Sequence, residues 1–142
     1  MPFDCKVGDI AFCYDGGYGG RGHWYIVLTN SNINGYVVRA NFTKSRGQVD
    51  GGRVFTPKDD SYIFEFSTVV PYRFAKVYPC DAFRDEANRA DVLNKYKHCP
   101  QGIMRQIIED AFKSLYTEGD VLDELKAEYP EEYNLYYEAP ED

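Results

Sequence analysis

Apolar positions in the first part of the chain occur in short runs, a pattern typical of β-strands. Turn-forming residues separate these runs, most densely at 30–35 (NSNING), where a hairpin is predicted. A serine-containing break at 67 divides two of the later runs. The runs are Val7–Tyr14, Trp24–Thr29, Tyr36–Phe42, Tyr62–Phe66, Thr68–Pro71 and Phe74–Tyr78. Together they predict a small barrel of about five strands over residues 7–78.

The pattern changes to a helical period after residue 80. Asp81 is suited to cap a helix that runs to about Lys97. After Pro100, apolar residues at i, i+3 and i+4 spacing predict a second helix, which ends at Gly119. A further short, acidic helix is predicted over Asp120–Glu128. The expected fold class is therefore α+β, a barrel followed by two or three α-helices.

Composition excludes several classes of protein. The 13 Tyr and 9 Phe argue against a disordered chain. No apolar run approaches the roughly 18 residues that a membrane-spanning helix needs. The N-terminus lacks the basic start and apolar core of a secretory signal, so a cytoplasmic protein with reduced thiols is expected.

Four cysteines without a CxxC pair give no zinc-finger spacing, so no metal and no cofactor are predicted. Two alternatives stay open: a metal site that combines these cysteines with His23 and His98, and a Cys13–His23 nucleophile pair. Cysteine is, however, more often a small buried hydrophobic residue.

Charge divides the chain into a body, residues 1–117, and an acidic C-terminal tail or helix, residues 118–142. The tail carries ten acids and one base, whereas the body carries 15 bases and 13 acids. The body can therefore bind nucleic acid, while the tail would repel it. The tail either shields the body's site in cis, binds a partner, or is a solvated acidic helix.

Short motifs in residues 7–78 give the chain a family resemblance. They are a Gly-Asp-apolar strand start, a glycine-rich loop at 16–22, an apolar strand that ends in Thr, and a later strand that closes on Thr-Lys-Ser. The first, third and fourth of these motifs are Gly8-Asp9-Ile10, Ile26-Val27-Leu28-Thr29 and Asn41-Phe42-Thr43-Lys44-Ser45. This order resembles the MazF/PemK toxin group, small SH3-like β-barrels that cleave RNA as the toxins of toxin–antitoxin pairs.

A divergent, largely uncharacterised branch of that group is the more similar one. Its members carry Gly-His and an aromatic residue where active toxins carry Arg-Pro, and later a Ser-x-Val-x-Tyr-x-x-Ala segment. Here these motifs appear as Gly22-His23-Trp24 and, one residue longer, at 67–75. The resemblance covers about half of the chain.

The resemblance implies a metal-independent endoribonuclease for single-stranded RNA, with an antitoxin partner and a homodimeric state. RNA cleavage needs an acid–base group and stabilisation of the phosphorane. His23 is suited to the first role because an imidazole titrates near pH 6.5. Thr43 and Arg21 complete the predicted catalytic set by donating to the phosphate. The predicted RNA-binding residues are Trp24, Lys44, Ser45, Arg46 and Tyr18, which would stack bases or hold phosphates.

Structural interpretations of the same residues stay open. His23 can be a strand-start histidine satisfied by backbone, Thr43 and Ser45 can shape a turn, and Arg21 can be solvated. The replacement of Arg-Pro favours an alternative function, a catalytically inactive barrel that binds protein or nucleic acid as a regulatory or phage-related module. A third class is an acidic interaction protein, such as a phage-encoded inhibitor, whose tail is the active part.

Overall fold

Antiparallel strand pairing organises the computed structural model, which describes residues 3–14, 22–46, 52–89 and 95–137. These residues form six strands and four helices. In chain order the elements are β1 Asp9–Tyr14, β2 Gly22–Val27, β3 Tyr36–Lys44, β4 Thr68–Val69, β5 Lys76–Pro79, α1 Cys80–Ala87, β6 Tyr96–His98, α2 Gln101–Lys113, α3 Gly119–Glu128 and α4 Pro130–Tyr137. A 3-10 turn, Tyr72–Phe74, precedes β5.

The sheet has the order β4-β3-β2-β1-β6, and each pair is antiparallel. The long strand β3 has two partners on one edge, β5 along its first half and β4 at its end. This arrangement curls the sheet into a half-barrel. The prediction of an α+β fold, a small barrel followed by helices, is confirmed.

Side chains on the two faces of the sheet belong to two separate cores, as the two-residue period of a strand requires. On β1 and β2, Ile10 and Ile26 join a large cluster with residues of α2 and α3. Their neighbours Ala11 and Val27 join a smaller cluster with Phe83 of α1. Helices α2 and α3, with side chains of α4 packed against them, therefore cover one face, and α1 covers the other.

The predicted helix from Asp81 to about Lys97 is wrong at its C-terminal end, and residues 90–94 lie outside the described part of the chain. Helix α1 ends at Ala87, and residues 96–98 form β6 against β1, where Asp9 pairs with His98. The edge of β1 explains the difference, because its N–H and C=O groups need partners. The Phe12 N–H, for example, donates to the Lys95 carbonyl at 3.1 Å.

The run Tyr62–Phe66 is not a strand either. The Asp60 carboxylate accepts hydrogen bonds from the N–H groups of Tyr62 and Ile63 at 2.8 and 3.0 Å, which fixes a turn.

Among the described residues, no helix has the length and apolar character needed to cross a bilayer.

The described part of the acidic segment packs on the barrel instead of being solvated. Val121 and Leu125 of α3 are fully buried in the large core. The Tyr129 hydroxyl donates to the Leu28 carbonyl at 2.6 Å. Glu124 and Glu128 accept hydrogen bonds from the turn between β2 and β3. These two glutamates therefore bind the hairpin turn, away from the end of β2 that carries His23, and they do not shield it.

Candidate functional site

The site predicted from the sequence lies where β2 begins and β3 ends, which we call the rim end. The opposite end, the turn 28–35 between the two strands, is the hairpin end. Trp24 pairs with Phe42 across β2 and β3, so the next position brings His23 beside Thr43. The two predicted catalytic residues within the described part of the chain are thus neighbours on adjacent strands.

His23 and Trp24 lie on opposite faces of the sheet because they are consecutive residues of one strand. The His23 ring contacts Tyr25 edge-on, with centroids 6.2 Å apart. The Trp24 ring contacts Phe12 in the same manner at 5.6 Å. The acid–base group and the stacking group predicted from the sequence therefore project from opposite faces of β2.

A cavity of about 460 Å³ opens on the Trp24 face of the rim end, and we call it the aromatic cavity. Much of its wall consists of the rings of Phe12, Trp24, Phe42, Phe64 and Phe66. Three cationic side chains and one acidic side chain also line it: Lys44, Arg46, Lys97 and Glu65. The cavity thus combines apolar ring faces with a positive charge balance.

Two of these cations lie over aromatic rings. The Lys97 Nζ is 4.5 Å from the centroid of Trp24 and 5.3 Å from that of Tyr62. The Lys44 Nζ is 5.6 Å from the centroid of Phe66. Cation–π attraction holds ammonium groups in such positions. The arrangement can receive a flat aromatic group against the rings and an anionic group against the ammoniums.

A second cavity, of about 530 Å³, lies on the His23 face, and we call it the polar cavity. Its lining includes alternate residues of β3, Arg39, Asn41 and Thr43, together with His23 and Lys76. His23 and Thr43 line the aromatic cavity as well. These two residues therefore form the border between the two cavities.

Arg39 holds a fixed position in the polar cavity. Its guanidinium carbon lies 4.1 Å from the centroid of the Tyr25 ring and 3.5 Å from that of Tyr78. Its Nη1 atom is 3.4 Å from the Glu86 carboxylate. Stacking on both rings and the ion pair restrict the side chain, so Arg39 is a preorganised cation on the same face as His23.

The remaining predicted site residues have different outcomes. Trp24, Lys44 and Arg46 line the aromatic cavity. Ser45 lines neither cavity, and its N–H donates to the Ser67 carbonyl at 2.9 Å. Arg21 and Tyr18 lie outside the described residues.

Several lining residues were missed from the sequence. Arg39 and Asn41 could have been found, because polar residues alternate with apolar ones along Tyr36–Lys44. Lys97 could not, because it lies in a segment predicted to be helical, and only the pairing of β6 with β1 brings it to the cavity.

The described residues contain neither a candidate metal site nor an exposed cysteine that could act as a nucleophile. No group of three or more His, Cys, Asp or Glu side chains in this part of the chain could hold a metal ion. Cys13 is directly opposite His23 on β1, but it is only 1% exposed. A nucleophilic thiol needs access to its substrate, which this position does not provide.

Comparisons of the chain with protein-family models, with curated proteins and with solved structures give no match. Inferences about function therefore depend on the residues and geometry of the rim end.

Proposed function

We propose that this protein binds single-stranded RNA across the rim end and cleaves it without a metal ion, as a MazF/PemK-type endoribonuclease toxin. The observation that supports this proposal best is the shared border of the two cavities. His23 and Thr43 separate an aromatic, cation-lined cavity from a polar cavity that contains Arg39. A strand that crosses this border would place a base on one side and a phosphate on the other.

Binding would take place mainly in the aromatic cavity. An unpaired base stacks on the ring of Trp24, an interaction of about 1–3 kcal/mol per base in single-strand binders. Lys44, Arg46 and Lys97 attract the phosphates, which makes the affinity dependent on salt. A duplex cannot present a splayed base to this cavity, so single strands are the expected ligand.

Cleavage would take place at the border. His23 accepts the proton of a ribose 2′-hydroxyl, whose oxygen attacks the adjacent phosphorus and displaces the 5′-oxygen. The leaving 5′-oxygen takes a proton from solvent water, and His23 returns its proton to the solvent after the step. Thr43 donates a hydrogen bond to a non-bridging oxygen of the phosphorane, and Arg39 stabilises its charge. The products are a 2′,3′-cyclic phosphate and a 5′-hydroxyl. A homodimer and an antitoxin that covers the rim end belong to the same proposal.

Trp24 allows a direct test of binding, because it is the only tryptophan of the chain. Titration with a single-stranded RNA of mixed sequence should quench its fluorescence, and the apparent affinity should fall as salt rises. A duplex of the same length serves as the control and should quench it weakly. Unchanged fluorescence at low salt, together with no shift in the anisotropy of labelled RNA, would refute binding at this cavity.

Cleavage is tested with end-labelled RNA in the presence of a chelator, analysed on a denaturing gel. His23→Gln and Thr43→Val should each lower the rate by about 100-fold, the order expected for the loss of one acid–base or donor group. Both variants should retain Trp24 quenching. Cleavage that persists in both would remove these residues from the mechanism.

A second function, RNA binding without cleavage, is favoured by one observation. Because the side chains of His23 and Trp24 project from opposite faces of β2, a base stacked on Trp24 does not by itself bring a ribose 2′-hydroxyl to the His23 ring. Quenching of Trp24 without any RNA product would support this function. Expression in bacteria separates the two as well, since only the nuclease should arrest growth and His23→Gln should relieve the arrest.

A further inference from the structure

Two cysteines that are far apart in the sequence have adjacent thiols. Cys5 belongs to the segment before β1, and Cys80 is the first residue of α1. Their Sγ atoms are 2.9 Å apart, and the two residues are only 4% and 3% exposed. Both belong to the smaller core cluster, on the face that α1 covers.

The backbone on both sides fixes this arrangement. Cys5 has φ of 62° and is the only described non-glycine residue with a positive φ. Such a conformation is unfavourable for an L-residue, so that a glycine or asparagine would be the usual occupant. The Cys80 N–H donates to the Gly35 carbonyl at 2.9 Å, which fixes the start of α1.

A second contact ties the same segment to the other end of α1. The Phe3 N–H donates to the Asn88 side-chain oxygen at 3.2 Å, and the Asn88 amide donates back to the Phe3 carbonyl at 3.3 Å. The Phe3 ring also packs on Phe83, with centroids 4.6 Å apart. The N-terminal segment therefore lies along α1, and the two thiols meet as a consequence of that packing.

We propose that Cys5 and Cys80 form a reversible disulfide by exchange with a low-molecular-weight disulfide of the oxidised-glutathione class. One thiolate attacks a sulfur of the small disulfide, breaks its S–S bond and releases one small thiol. The other cysteine then attacks the mixed disulfide, forms the Cys5–Cys80 bond and releases the second small thiol. Two protein thiols are oxidised, one small disulfide is reduced, and the two protons end on the released thiols.

Burial makes this exchange slow while the chain is folded. Burial, followed by the neighbouring Cys80 thiol, raises the pKa of Cys5 well above its ordinary value, so little thiolate is present. Exchange therefore requires opening of the N-terminal segment from α1. Once formed, the bond closes a loop over β1 to β5 and limits the freedom of the unfolded chain, so that Tm should rise by about 10 °C.

The test uses the full chain, reduced and denatured in urea, and then refolded in buffers with different ratios of reduced to oxidised glutathione. Refolding removes the barrier that burial sets. Free thiols are alkylated, and the products are analysed by intact mass and by mapping of cross-linked peptides. We expect two of the four thiols to escape alkylation, a single cross-link between the peptides of Cys5 and Cys80, and a rise in Tm that dithiothreitol reverses.

Three single cysteine variants show which thiols the cross-link requires. Cys99→Ala removes another buried thiol and should still form the cross-link, whereas Cys5→Ala and Cys80→Ala should not. Four alkylated thiols in the most oxidising buffer, or a main cross-link to Cys13 or Cys99, would overturn the proposal. The peptide map of the unmodified chain distinguishes these outcomes even if a variant fails to fold.

Discussion

The two ends of the β2–β3 hairpin differ in what satisfies their polar groups. At the hairpin end, Asn30 and Asn32 donate to Glu128 and Glu124, and the Leu28 carbonyl accepts from Tyr129. At the rim end, by contrast, ammonium groups lie over aromatic rings at the mouth of a cavity. Side chains of the acidic segment thus satisfy the polar groups of the hairpin end, while at the rim end cations and aromatic rings line an open cavity.

The glutamates of the hairpin end and the cations of the rim end are too far apart to interact strongly. Leu28 lies five positions after His23, a span of about 16 Å at about 3.3 Å per residue. This span exceeds the Debye length of about 8 Å at physiological ionic strength. The glutamates at the hairpin end therefore do little to screen the cations of the rim end. A net charge of −7 is not in itself an argument against an anionic ligand.

The contrast predicts that changes at the hairpin end lower stability, with the largest effect at Leu125. This side chain is fully buried, so Leu125→Ala should lower the free energy of unfolding by about 3 kcal/mol through lost burial and a residual cavity. Leu135→Ala is the control, because Leu135 is 63% exposed and should cost less than about 0.5 kcal/mol. Urea denaturation measures both. Equally small losses of unfolding free energy in the two variants would mean that α3 is not part of the core.

Arg53 tests how the segment that precedes Phe55 is attached to α2. Its Nε and Nη2 atoms donate to the Asp110 carboxylate at 2.9 and 3.0 Å, and that side chain is only 8% exposed. Arg53→Met leaves this carboxylate without its guanidinium partner and should lower the free energy of unfolding by about 2 kcal/mol.

Arg84→Met is the matched control, because Arg84 pairs with an exposed partner, Asp81. It should change the free energy of unfolding by less than about 0.5 kcal/mol. Similar losses in the two variants would show that the Arg53–Asp110 pair has no special role.

The contribution of Tyr129 to the stability of the hairpin end depends on pH. Burial raises the pKa of its phenol, so the protonated form is favoured in the folded state. Its contribution to stability is complete below pH 10, the ordinary pKa of tyrosine, and is lost as pH rises above that value. Tyr129→Phe should cost about 1 kcal/mol at pH 7, since the Leu28 carbonyl loses its donor.

The same variant should lose less stability than the unmodified protein between pH 9 and pH 11, as measured by urea denaturation at both values. Cys99 contributes to the alkaline loss in both proteins, because burial raises the pKa of its thiol to about 12. Parallel losses in the two proteins would exclude Tyr129 as the source of the difference.

Lys97 should show the smallest effect on stability and a clear effect on binding. Lys97→Gln should change the free energy of unfolding by less than about 0.5 kcal/mol. Removal of one phosphate contact should weaken RNA binding several-fold and lower the salt slope by about 1.

Lys6→Gln is the control at the hairpin end. Lys6 lies near this end because Gly8, two residues further along, donates its N–H to the carbonyl of Val27, the last residue of β2. The variant should leave the RNA affinity unchanged. A loss of affinity as large as that of Lys97→Gln would show that binding is a general charge effect and not a property of the rim end.

Local pattern determined much of this fold. The run Tyr36–Phe42 and the apolar stripe after Pro100 each predict an element that the structure contains, because the period of a strand or helix is fixed by backbone geometry. The helix ends at Lys113, however, and not at Gly119 as predicted. The position of His23 and Thr43 at a strand start and a strand end also follows from the sequence. So does the placement of His23 and Trp24 on opposite faces, which the two-residue period of a strand already implies.

Only the tertiary structure decided what long-range pairing brings together. The segment 96–98 is a strand because the edge of β1 offers it hydrogen-bond partners, and that pairing carries Lys97 to Trp24. The thiols of Cys5 and Cys80 meet for the same kind of reason, since the N-terminal segment packs along α1. Such contacts depend on which edges and faces remain open after the local elements have formed, and no short stretch of sequence contains that information.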